Sequence, residues 1–100
     1  MTEFGSTGAR VSPLARAAGA HVVRIELDPG SCLAMHPAGS PQLFLVVEGE
    51  GTVATEYAPP EPVAAGSAVW WDTGELHETR SESGLVALVV EAEGLEPLLS

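Results

Sequence analysis

Few side chains in this chain of 100 residues can do chemistry. There are three histidines, His21, His36 and His77, and one cysteine, Cys32. An imidazole serves as a metal ligand, an acid or base, or simply a hydrogen-bonded core group. Two carboxylates, Glu75 and Glu78, flank His77. On a strand, Glu78 points away from the side of His77 and Thr79 points with it. Glu75 falls in a turn, where it serves as a partner that fixes a ring tautomer, as a general acid/base (a weak catalytic candidate), or as an exposed turn carboxylate. The sequence carries no nucleophile paired with a base, no phosphate-cradling loop and no dinucleotide fingerprint. No substrate or reaction follows from such a set.

Composition narrows the partners. The net charge is −10, with four arginines and no lysine. Such a surface repels nucleic-acid backbones and anionic membranes, so neither is expected as a partner. One cysteine allows no disulfide within the chain, which favours a reducing cytoplasm. Residues 1–20 hold no apolar run of signal-peptide length, and no membrane-spanning run follows. Abundant Ala, Gly and Val beside the missing Lys suggest a bacterial source.

The elements that must position these residues are short strands. His21, Val23, Ile25 and Leu27 alternate with Val22, Arg24 and Glu26, which predicts a strand with one apolar face. Asp28-Pro29-Gly30 reads as a turn, and Leu33–His36 as a short strand. Gln42–Glu48 is the strongest strand, with Phe44 in phase with Gln42 on its inner side. Glu48-Gly49-Glu50-Gly51 reads as a hairpin turn, and Thr52–Tyr57 as the return strand. Pro59–Pro62 is expected to break regular structure. Ala68–Trp71, Leu76–Ser81 and Leu85–Glu91 complete the set. Val11–Leu14 is an edge strand because of Pro13, and Ala15–Ala20 a helical turn or a loop. Trp70 and Trp71 are adjacent, so one points inward and one outward. Repeated turns between short strands imply an all-β sandwich or barrel of one domain, residues 10–95, with tails at 1–9 and 96–100.

The spacing of particular residues resembles the cupin superfamily. That family's first motif runs Gly, five residues, His-x-His, three or four residues, Glu, six residues, Gly. Gly30, His36, Ala38, Gln42 and Gly49 hold this register. The second motif runs Gly, five residues, Pro-x-Gly, two residues, His, and is matched by Gly66, Asp72, Gly74 and His77. The motifs span Gly30 to His77. The resemblance implies a cupin-type jelly-roll β-barrel (double-stranded β-helix). Three departures stand out: Ala38 replaces the second histidine, Gln42 the glutamate, and Asp72 the proline.

The resemblance further implies a divalent transition metal (Mn, Fe, Co, Ni, Cu or Zn) on His36, Gln42 and His77. Two imidazoles and an amide oxygen form a neutral, open-sided set, weaker than one with a carboxylate and suited to an anionic ligand. Phe44, Trp71, Thr79 and His21 are the pocket candidates around it. His21 is in phase with the inner face, either as a substitute for the histidine lost at Ala38 or as a solvated strand end. Cys32 shares the phase of Ala34 and His36 by alternation, but it lies ~13 Å along the strand from His36, too far for a common ion; it reads as a small buried hydrophobe. Small cupins include oxygenases and isomerases, so the expected function is a metal-dependent enzyme of that kind acting on a small organic molecule, anionic or neutral. The alternative is a metal-free barrel that binds a small molecule without catalysis. Leu43, Leu45 and Val47 form an apolar outer face, which predicts a homodimer.

Overall fold

The computed structural model describes residues 7–98, apart from the side chains of Thr7 and His36. The described residues form seven strands: β1 (Thr7–Ala17), β2 (Ala20–Pro37), β3 (Gln42–Thr55), β4 (Glu61–Ala64), β5 (Ala68–Trp71), β6 (Leu76–Ser81) and β7 (Leu85–Ala92). All pairings are antiparallel.

Two long strands close the barrel. The first half of β2 pairs with β7, and its second half with β6. β3 likewise pairs first with β7 and β5, then with β6 and β4. The circuit β2–β7–β3–β6 therefore returns to β2, and its interior is where apolar side chains leave water. Inward residues meet in cross-strand rows. Val23, Val89, Phe44 and Val69 form one row; Ile25, Ala87 and Val46 form the next. Phe44, Val46, Ala87 and Val89 are all buried.

Several sequence expectations are corrected here. Asp28-Pro29-Gly30 and Glu48-Gly49-Glu50-Gly51 do not reverse the chain. They are corners at which β2 and β3 bend from one set of partners to the other. Gly49 takes φ +79°, and a Cβ there would lie 2.1 Å from the Gly84 carbonyl oxygen. A Cβ on Gly51 would lie 2.2 Å from the Arg80 carbonyl oxygen. The glycine pair that resembles a hairpin signal thus permits close backbone approach. Ala15–Ala17 is strand rather than a helical turn, because it pairs with Ala20–Val22 beyond a tight turn. Pro62 lies inside β4, which pairs on one side only, where a missing N–H is tolerated. Of the expected tail at 1–9, residues 1–6 lie outside the described residues. Thr7 already pairs with β2, and Ala9 is buried opposite Leu27. At the other end, residues 95–98 carry no regular structure, and residues 99–100 lie outside the described residues.

Alternation also fails between Leu33 and His36. Leu33 pairs with Thr79 and His36 with His77, so three steps on β2 match two on β6. This bulge shifts the phase of the strand. Leu33 is buried, so Cys32 next to it falls on the other side of the strand. It pairs with exposed Arg80 on the outer face and is only half-buried. Burial pushes its thiol pKa up, with Arg80 opposing.

Candidate functional site

The polar row of the barrel interior lies at the ends of four strands. His21 on β2, Glu91 on β7, Gln42 on β3 and Trp71 on β5 are consecutive cross-strand partners. In the other half, Thr55, His77 and His36 form a corresponding backbone row. Between them is a cavity of about 210 Å³. Its wall combines apolar Val23, Ile25, Leu33, Phe44 and Val89 with polar His21, Gln42, His77, Thr79 and Glu91.

His77 is held from two directions. It is 2% exposed, and its ring stacks on the Trp71 indole with centroids 3.9 Å apart and planes 13° apart. Phe44 meets Trp71 edge-on at 5.0 Å, which fixes the indole in turn. His77 Nδ1 lies 3.1 Å from the Glu75 carbonyl oxygen. A carbonyl only accepts, so the neutral ring carries its hydrogen on Nδ1 and its lone pair on Nε2. Metal-binding histidines are oriented in this way.

The polar partner of Glu75 is thus its main chain. Its carboxylate accepts a hydrogen bond from the Asp72 backbone N–H at 3.0 Å and closes the turn between β5 and β6. The structure does not bring this weak catalytic candidate to the cavity; its side chain lies along an outer cleft with Trp70 and Thr55.

Gln42 is 9% exposed and donates through Nε2 to Glu91 Oε2 at 2.5 Å. The amide nitrogen is thereby committed, and its carbonyl oxygen is the atom left to meet an ion or ligand. The other carboxylate oxygen of Glu91 pairs with His21 Nε2. Glu91 therefore bridges His21 and Gln42, and the His21 ring is half-exposed at the cavity rim. Sequence reading missed Glu91. It continues the inward phase of Leu85, Ala87 and Val89, a stripe whose last member is charged.

Of the proposed ligands, Gln42 and His77 line this one cavity. Backbone register sets His36 directly across from His77, while the His36 side chain lies outside the described residues. Phe44, Trp71, Thr79 and His21 also line the cavity. Trp71 is the inward member of the tryptophan pair; Trp70 points outward and donates to Asp72 Oδ1 at 2.9 Å. Ala38, where the cupin motif has its second histidine, is 1% exposed and contributes no donor side chain. Among the described residues, no three His, Cys, Asp or Glu side chains converge on a common point. Among the described residues, no helix is long and apolar enough to cross a membrane.

No family model matches the sequence, and no curated protein does. Solved structures do match. A cupin-like protein from Thermotoga maritima superposes with a TM-score of 0.81 at 20% identity, covering 92% of this chain and 75% of that one. A predicted oxalate decarboxylase from the same organism gives 0.79 at 24% identity, covering 89% and 84%. A DMSP lyase from Ruegeria pomeroyi gives 0.79 at 20% identity, covering 89% of this chain and 49% of the lyase. At such identities the likeness is one of fold and carries no activity with it. Strand order, corner glycines and superposition agree: this chain has the cupin fold, and its structural neighbours across most of its length include cupin-superfamily proteins.

Proposed function

We propose that this chain is a small metal-dependent cupin enzyme, of the oxygenase or isomerase kind, that acts on a small organic molecule in the 210 Å³ cavity. The observation that carries the reading is His77. The Glu75 carbonyl and the Trp71 face fix its ring in the tautomer with its lone pair on Nε2. His36 stands across from it in register, and Gln42 contributes an amide oxygen in the same cavity. These three would hold a divalent transition ion (Mn, Fe, Co, Ni, Cu or Zn). When bound, the ion supplies a Lewis-acid centre with open positions.

The remaining chemistry belongs to the chain. Phe44, Val89 and Ile25 exclude water from one side of the cavity. Glu91 holds the Gln42 amide so that its oxygen, rather than its nitrogen, is presented. Trp71 prevents the His77 ring from turning. Because Gln42 is an amide, the ion is held more weakly than by a carboxylate.

One observation favours a second reading, a metal-free binding barrel. No cluster of three ionisable ligands exists among the described residues, and Gln42 is already hydrogen-bonded within the protein. Calorimetric titration with Mn²⁺, Fe²⁺, Ni²⁺ and Zn²⁺ separates the two. The enzyme reading predicts saturable binding that Gln42→Ala weakens by at least about tenfold, the lower end of what losing even an outer-shell partner costs. Unchanged binding in Gln42→Ala removes Gln42 from the site. We further propose a cytoplasmic homodimer through the outer face of β3, where Leu43 and Leu45 lie beside Val90 and Leu88.

A further inference from the structure

Glu91 brings a carboxylate into the cavity wall beside Gln42 and His77, and its side chain is only 17% exposed. Among the described residues, neither Arg nor Lys lines that wall. Arg10, Arg24 and Arg80 pair with other carboxylates, those of Glu26, Asp28 and Glu78. The two partners of Glu91 are the neutral Gln42 amide and the half-exposed His21 ring, which is charged only when protonated. A carboxylate drawn out of water without a permanent opposite charge costs free energy, and a neutral side chain would pack there without that cost. Position 91 therefore calls for a cation inside the cavity.

We propose that Glu91 is the anionic ligand of the divalent ion, reaching it from β7 beside Gln42. This role rests on the ion site proposed above, and it adds the one charged donor that His36, Gln42 and His77 lack. Glu91 and Gln42 are cross-strand partners, and Glu91 Oε2 accepts from the Gln42 amide nitrogen at 2.5 Å. The Gln42 amide oxygen sits on the same carbon as that nitrogen, so a carboxylate oxygen stands next to the donor atom assigned to the ion. A carboxylate has about four acceptor sites, so Glu91 can hold Gln42 and His21 and still meet the ion. His21, Glu91 and His77 do not converge on one point, so His21 keeps an outer role, orienting the carboxylate from the rim. Half of the ion's charge is then balanced within the protein.

The test is a calorimetric titration of full-length, chelator-stripped protein with Mn²⁺ and Zn²⁺, on the parent, Glu91→Gln and Glu91→Asp. Infrared spectra are recorded before and after one equivalent of metal. Glu91→Gln keeps the size of the side chain and removes its charge. Without metal it is expected to fold with an unchanged or raised Tm. Its metal affinity is expected to fall by more than about tenfold, the lower end of what losing an outer-shell partner costs. Glu91→Asp, with the same charge on a shorter stem, is expected to fall between the two. In the parent, metal is expected to shift a carboxylate stretching band, and that shift is expected to be absent from Glu91→Gln. A residue that only held Gln42 in place would weaken binding without carrying the band. Parent affinity in Glu91→Gln, or a metal-induced carboxylate shift that survives in it, would overturn the role of Glu91 and leave the ion in place. A parent protein that takes up no metal would overturn the ion site as well. A Tm raised by methylammonium chloride but not by either metal would assign the missing charge to an organic cation and overturn the ligand role.

Discussion

The corner at Gly49 permits a quantitative comparison. Gly30 and Gly49 both adopt positive φ, +76° and +79°, at the bends of β2 and β3. A Cβ on Gly30 meets nothing within 4 Å, whereas one on Gly49 would sit 2.1 Å from the Gly84 carbonyl oxygen and 3.1 Å from Leu85 Cα. Gly30→Ala therefore carries only the left-handed backbone penalty, about 1–2 kcal/mol. Gly49→Ala carries the same penalty and must also push the start of β7 away by roughly 1 Å, an overpacking cost of about 1–3 kcal/mol. At about 4–8 °C per kcal/mol for a domain of this size, Gly30→Ala should lower Tm by roughly 4–16 °C and Gly49→Ala by roughly 8–40 °C. Thermal unfolding by circular dichroism at one protein concentration measures both. Equal losses would mean that β3 does not press on Gly84. The bend at Gly49 would then be an open hairpin turn, and the strand crossing that closes the barrel would be wrong.

Other predictions follow from the cavity and its surroundings. Phe44→Ala, which removes a fully buried ring from the wall and the support of Trp71, should cost about 3–5 kcal/mol in denaturant unfolding; a loss below 1 kcal/mol would argue against this packing. Gln42→Glu sets a second carboxylate against Glu91 in metal-free protein, so its Tm should fall and added Mn²⁺ should restore it; a Tm indifferent to metal would contradict the proposed ligand role. Cys32 should react with iodoacetamide more slowly than free cysteine at pH 7.5 and faster as pH rises, because burial raises its thiol pKa. Light scattering should give a dimer mass, and Leu45→Glu a monomer; a monomeric parent protein would remove that proposal.

The strands were readable because a side chain on a strand has only two directions. The phase of His21–Leu27, of Gln42–Val46 and of Leu76–Ser81 follows from alternation alone, and it sets Phe44 and Thr79 inside. The corners were not readable in this way, since Gly-x-Gly after an apolar strand serves a hairpin and a close crossing equally well. The bulge before His36 was hidden for a similar reason. Nothing in Leu33-Ala34-Met35-His36 marks an extra residue, yet it decides that Leu33 rather than Cys32 packs inside. Glu91 was missed because an end-of-strand carboxylate is ordinarily solvated; only its cross-strand position between His21 and Gln42 assigns it to the cavity. The carboxylate that the cupin motif places where this chain has Gln42 is thus supplied beside it by another strand, as a partner to Gln42.

The proposed enzyme requires a metal ion held through His77. Elemental analysis of the purified protein, beside a His36→Ala, His77→Ala double variant, tests it most directly. A near-stoichiometric transition metal is expected in the parent protein, with its loss in a double variant that remains folded. No metal in the parent after reconstitution with Mn, Fe, Co, Ni, Cu or Zn, or equal metal in both proteins, would contradict it.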